Sequence, residues 1–160
     1  MENKKGIANI INTFSTKEES VLNTVKVSRL VKSEDLNHHG TLFAGRVAEW
    51  FVEACFICGA KHTEKPENIV CINIHGLTFT EPANKGDIIN LETKIAKVGR
   101  TSFVVYGKIT KNNSDKILSD GFITFVFVDE NGKAIPHNIK LAEPIDDEDI
   151  KIRTRTENLR

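Results

Sequence analysis

Asn37, His38, His39 and Gly40 stand just before the run Thr41 to Gly45, which opens into a long apolar segment whose only carboxylates are Glu49 and Glu53. Together these types can stabilise a developing anion and move a proton. The first amides of a helix have no intrahelical acceptor and sit at the positive end of its dipole. A helix starting at the small residues Ala44 and Gly45 therefore admits a carbonyl oxygen closely and stabilises negative charge on it. The Asn37 amide either orients water or that carbonyl, or else orders its own loop. A carboxylate on an otherwise apolar helix is expected to be desolvated and so poised as a general base. Glu53 is the favoured candidate, as base or as a nucleophile working through an anhydride. The alternative for both glutamates is an ion pair, for example Glu49 with Arg46.

Further along, Gly99-Arg100-Thr101-Ser102 brings a cation, two hydroxyls and turn amides together, a set able to hold a phosphate. Cys55 and Cys58 form a C-x-x-C pair, but no second pair follows and Phe56 and Ile57 lie between them, so they read as buried core thiols. His62, His75 and His137 are scattered, with no ligand spacing, and no metal is expected.

These residues need a scaffold, and the hydrophobic pattern supplies one. Ile7, Ile10, Ile11 and Phe14 recur at helical spacing and predict a short N-terminal helix. Val25, Val27, Arg29 and Val31 alternate as a first strand. Ala44 to His62 is apolar nearly all round, as in a buried helix, with Arg46, Glu49 and Glu53 on one stripe. After Pro66 the period becomes two. Val70, Ile72 and Ile74 share a face, while Leu77 and Phe79 fall out of step, which predicts a bulge at His75-Gly76. Three more strands follow, through Ile89 to Ile95, Phe103 to Ile109 and Ile117 to Val128, joined by short polar turns that imply antiparallel pairing. The closing stretch from Glu143 turns from acidic to basic, as a solvated tail or a terminal helix would.

A length of 160 residues suits one domain. Lys+Arg and Asp+Glu both total 22, so the net charge is zero and no basic surface for nucleic acid or an anionic membrane is indicated. Apolar residues at 39% and charged residues at 28% describe a folded, soluble domain. The three cysteines are odd in number and lie in apolar stretches, unlike a secreted disulfide framework, and no secretory or membrane-spanning run is visible. A reducing cytoplasm is the expected location.

The run NHHGTLFAGRVAEWFVE from Asn37 to Glu53 resembles a block of the hotdog-fold acyl-CoA thioesterases of the ACOT type. Phe79-Thr80-Glu81-Pro82 with Gly86-Asp87, Val98 to Ser102, and Phe125 to Asp129 resemble its later blocks, in order, over about residues 25 to 137. The resemblance implies an α+β fold, a curled antiparallel sheet wrapped round one long central helix. It divides the chain into an N-terminal extension (1–24), the hotdog domain (25–137) and a charged C-terminal tail or helix (138–160). It implies hydrolysis of acyl-CoA to free coenzyme A and a carboxylic acid, with coenzyme A belonging to the substrate and no separate cofactor. The site would lie between subunits of a homodimer or dimer-based hexamer. Asn37 and Glu53 would be catalytic, with His38, Gly40, Gly45, Arg100, Thr101 and Ser102 contacting substrate.

One departure stands out. Counted from Asn37, the family's helix carboxylate falls on Val52, and Glu53 comes one residue, or about 100°, later. Either Glu53 or Glu49 replaces the acid, or the chain is a catalytically silent acyl-CoA binding or sensing protein. The stretch before the first strand is too short for the DNA-binding motif of hotdog regulators. A hydratase would want a paired His and acid that the helix and loop lack.

Overall fold

A computed structural model of the chain describes residues 24–159. The predicted N-terminal helix lies outside the described residues. Five strands, β1 (Val25–Leu30), β2 (Ile69–Ile74), β3 (Ile88–Val98), β4 (Ser102–Lys111) and β5 (Ile117–Phe127), form one antiparallel sheet in the order β1-β3-β4-β5-β2. The sheet curls round a 20-residue helix, α1 (Ala44–Thr63). The all-round apolar pattern explains its position: Phe51, Cys55 and Cys58 are fully buried against the sheet. The helix ends where Glu64 adopts φ 56° and returns its N–H to the Ala60 carbonyl.

Phe51 sits in α1 above a pair of facing glycines, Gly107 on β4 and Gly121 on β5. A Cβ added to Gly107 would stand 2.5 Å from the Phe51 ring. The pair is thus the notch that lets helix and sheet approach. The alternation read in β3 is observed, with Ile89, Leu91, Thr93 and Ile95 buried. Thr93 is polar but satisfied, its hydroxyl reaching the carbonyls of Val25 at 3.4 Å and Ala54 at 3.3 Å. It thereby ties β1, β3 and α1 together.

The bulge predicted at His75-Gly76 is elsewhere. The register of β2 against β5 slips between Cys71 and Asn73, making Ile72 the extra residue, and the strand ends at Ile74. Leu77 and Phe79 are out of step because the chain bends away at Gly76, where φ is +88°. It still follows β5, with the His75 N–H donating to Phe122 O at 2.9 Å and the Thr80 N–H to Leu118 O at 3.0 Å.

The acidic-to-basic closing stretch contains a helix, α2 (Asp147–Arg155). Asp146 caps it, accepting the Asp149 N–H at 2.7 Å, and acidic residues at its start and Arg153 and Arg155 near its end complement the dipole. The helix covers the sheet face turned away from α1, where Ile152 packs with Ala96, Val104, Tyr106 and Phe122. Arg155 lies over the Phe122 ring at 4.8 Å and bonds Asp120 at 2.6 Å. This second layer is why β5 reads as apolar on both faces.

Candidate active site

A turn of 3-10 helix at Ser33–Asp35 delivers the chain to Asn37. The Asn37 side chain is largely spent on its own loop. Its Oδ1 accepts from the backbone N–H of His39 at 2.9 Å and of Thr41 at 3.2 Å, and its Nδ2 donates to Thr41 Oγ1 at 3.1 Å. Gly40 takes φ +77°, the left-handed conformation that closes this loop. Because an amide nitrogen carries two hydrogens, one N–H of Asn37 is left for another partner. His38 and His39 are exposed, their rings 3.9 Å apart.

The loop feeds the start of α1. Phe43 precedes the helix, gives it no side-chain cap, and donates its own N–H to Asp35 O at 2.9 Å. The N–H groups of Ala44 and Gly45 have no acceptor among the described residues. Asn37 and Ala44 line a cleft of about 300 Å³, with Leu42, Val47, Phe79 and Leu118 among its apolar walls. A carbonyl oxygen in this cleft would meet free amides at the positive end of the dipole. Gly45 makes room for the Phe43 ring, which a Cβ there would approach to 2.5 Å.

Glu53 is in a different place. It lies eight to nine residues beyond those amides, about 12 Å along the helix at 1.5 Å per residue. The expected desolvation is absent in the single chain: its side chain is 51% exposed and paired with Arg29 of β1. Glu49 is 63% exposed and bonded to Arg46 at 2.6 Å, and Arg46 also reaches the buried Asp35 at 3.2 Å. Val52 packs against the core.

Arg100, Thr101 and Ser102 form the β3–β4 turn, where the Gly99 N–H donates to Ser102 O at 2.7 Å. Ser102 pairs with Val126, whereas the Asn37 cleft adjoins Leu118. Eight strand residues separate the two, about 25 Å. One chain therefore brings together Asn37, Gly40, Ala44 and Gly45, but neither Glu53 nor the Arg100 turn joins them.

Sequence reasoning missed the Arg29 partnership, although a signal was present: a cation in the buried phase of β1, between Val27 and Val31. Leu118 was missed as a cleft wall. The register slip between β4 and β5 beside it, at Ile109/Thr110, is not visible in the residue pattern.

The C-x-x-C thiols are fully buried. Burial pushes the Cys55 thiol well up, and it pushes Cys58 up to about 12 against a hydrogen bond from Thr93. Among the described residues no cluster of three or more His, Cys, Asp or Glu is placed to hold a metal, and no helix is long and apolar enough to cross a membrane.

A curled antiparallel sheet wrapped round one central helix is the hotdog architecture. The sequence pattern of the thioesterase superfamily matches residues 39–117. An uncharacterized acyl-CoA thioester hydrolase of Bacillus subtilis (strain 168) is 30% identical over 124 residues, covering 75% of this chain and 69% of that protein. The chain belongs to this thioesterase family. An apo hexameric acyl-CoA thioesterase superposes with a TM-score of 0.75 at 30% identity, covering 84% of this chain and 86% of that one. An acyl-CoA hydrolase from Staphylococcus aureus, in complex with butyryl coenzyme A, coenzyme A and coenzyme A disulfide, shares the fold with a TM-score of 0.74 at 24% identity, covering 84% and 80%.

Proposed function

We propose that this protein is an acyl-CoA thioesterase that hydrolyses acyl-CoA to coenzyme A and a carboxylic acid. Beyond family membership, the observation that carries the reading is the start of α1, where the Ala44 and Gly45 amides are unpartnered and Ala44 lines one cleft with Asn37. The thioester oxygen sits against these amides, which stabilise it as charge develops, and the remaining Asn37 N–H orients the carbonyl or the water. Glu53 takes the proton from the attacking water, or attacks the carbonyl itself to give an anhydride that water then opens; the coenzyme A thiolate leaves and is protonated.

About 12 Å separates Glu53 from the amides of its own chain, so the acid comes from a second copy. The β2 edge fits such pairing. Its outer side is unpaired in the described chain, and Val70, Ile72 and Ile74 are 45–59% exposed. Joined edge to edge, two copies form a continuous sheet and a dimer, the unit from which a hexamer is assembled. Arg100, Thr101 and Ser102 hold a phosphate of coenzyme A, with His38, Gly40 and Gly45 along the acyl-pantetheine path. Coenzyme A enters as substrate and no separate cofactor is used. The reading places the protein in the cytoplasm, in lipid metabolism.

A second reading, a silent acyl-CoA binding protein, is favoured by Val52 at the family's acid position. Free-thiol release across acyl chain lengths decides between them, with Asn37→Ala, Glu49→Ala and Glu53→Ala beside the parent. Glu53→Ala is expected to lose at least about 10²-fold in turnover while remaining folded. Full activity in that variant removes Glu53 from the mechanism. Binding of acyl-CoA with no thiol release establishes the silent reading.

A further inference from the structure

A second cleft, of about 200 Å³, opens at the far end of the molecule, beside the β3–β4 turn and on the sheet face turned away from α1. His75, Lys97, Ser102, Thr124, Thr156 and Leu159 are among the residues that line it, and none of its lining residues is a carboxylate. The register explains the floor. Lys97 pairs with Val104, and Val104 with Thr124, so the three form one row across the sheet.

Of the polar side chains here, the Lys97 ammonium and the Ser102 hydroxyl have no partner among the described residues, and the others are held in place by bonds of their own. Lys97 is exposed and has no acidic partner among the described residues. His75 is engaged at both ring nitrogens, Nδ1 at 3.3 Å from Asn73 Nδ2 and Nε2 at 2.7 Å from Thr124 Oγ1. With the Asn73 amide donating to Nδ1, the ring donates to Thr124 and leaves the Thr124 O–H for the cleft. A Cβ on Gly99 would come within 3.0 Å of Ser102 Oγ, so glycine preserves the space round that hydroxyl. The remaining wall comes from the turn after α2. Thr156 spends its hydroxyl on Arg153 O at 2.6 Å, which leaves Leu159 and the Thr156 hydrocarbon as an apolar side. An uncompensated cation, the Ser102 and Thr124 hydroxyls, no carboxylate and one apolar wall suit an anion carried on an organic body.

We propose that this outer-face cleft binds a phosphate group of an organic ligand. Lys97 supplies the charge, the Ser102 hydroxyl and the Thr124 hydroxyl that His75 fixes supply the hydrogen bonds, and Leu159 the apolar contact. Two sources share that chemistry: the phosphate end of coenzyme A reaching over the Arg100 turn, or a free phosphorylated metabolite. Only the first rests on the thioesterase reading.

The test is calorimetric titration of the full chain with adenosine 3′,5′-bisphosphate, which requires no turnover. Lys97→Met is expected to weaken binding about tenfold or more, with Lys97→Arg restoring most of it and Thr124→Val also weakening it. No binding to the parent, or unchanged affinity in both Lys97→Met and Thr124→Val, overturns the proposal. The source is read from KM for acyl-CoA divided by KM for the matching acyl-pantetheine. A roughly tenfold rise of that ratio in Lys97→Met assigns the substrate's own phosphate end. An unchanged ratio with bisphosphate binding lost assigns a free metabolite. Absence of thiol release from every acyl-CoA, with Lys97-dependent binding intact, sinks the hydrolase reading and leaves the site standing.

Discussion

Arg29 on β1 reaches across to α1 and pairs its guanidinium with the carboxylate of Glu53, the residue next to the position where the family carries its acid. A half-exposed pair of this kind contributes at most about 1 kcal/mol to stability. Its consequence is geometric: Arg29 fixes where the carboxylate points. Arg29→Met is therefore expected to lower kcat between about tenfold and a hundredfold, with KM changed much less, and Arg29→Lys to recover part of the loss. The melting temperature should move by no more than about 4 °C. Unchanged kcat in Arg29→Met would show that Glu53 needs no orienting partner.

The Gly107–Gly121 notch beneath Phe51 sets a stability prediction at a distance from the chemistry. At Gly107 an added methyl meets the fully buried Phe51 ring at 2.5 Å, and at Gly121 it meets the Gly76 carbonyl oxygen at 2.6 Å. Overpacking of this kind costs about 1–3 kcal/mol. Gly121→Ala should be the worse of the two, because backbone rather than a ring must give way. Denaturant midpoints of both variants measure this. A Gly121→Ala midpoint at or above the parent's would contradict it.

The bounds of α1 and the buried phase of β3 were legible in the sequence because each is written in a period, all-round apolar for the helix and alternating for Ile89, Leu91, Thr93 and Ile95. The β2 bulge was not, because the slip at Cys71 and Asn73 is set by pairing with Phe125 and Thr124 on a distant strand. For the site, the Asn37 loop and the free amides of Ala44 and Gly45 were legible as a local motif. The separation of Glu53 from them follows from counting helix residues, but its pairing with Arg29 is tertiary. The tail carried its own clue, since acids before bases is the charge order that stabilises a helix dipole.

Asp149 makes the attachment of α2 sensitive to acid. Its side chain, 6% exposed, bonds Lys94 at 3.0 Å and Arg153 at 2.8 Å. Burial alone would raise its pKa, but the Lys94 and Arg153 contacts outweigh it and hold the carboxyl below its ordinary 3.8. A depressed folded value means that the stabilisation is fully present above 3.8 and is lost as pH falls through the lower, folded value. Asp149→Asn should therefore melt below the parent at neutral pH by about 5–10 °C, on a loss of roughly 2–3 kcal/mol. The gap should close below pH 3.8. A gap that stays constant across that range would separate the docking of α2 from the Asp149 charge.

The three cysteines provide a probe of both core and assembly. Cys55 and Cys58 are buried and hard to ionise, whereas Cys71 is exposed on the β2 edge. Since the thiolate is the reactive form, a disulfide reagent at mildly alkaline pH should modify Cys71 alone in the native protein, and all three cysteines after denaturation. If two copies join through β2, Cys71 lies in the joint and its modification slows as protein concentration rises. Ile72→Lys places a charge on that edge, which opposes strand pairing. The variant should scatter light as a smaller particle, react faster at Cys71, and lose thioesterase activity, because Glu53 of one copy no longer meets the Asn37 cleft of another. A variant that is monomeric and fully active would place the whole reaction within one chain and refute the shared site.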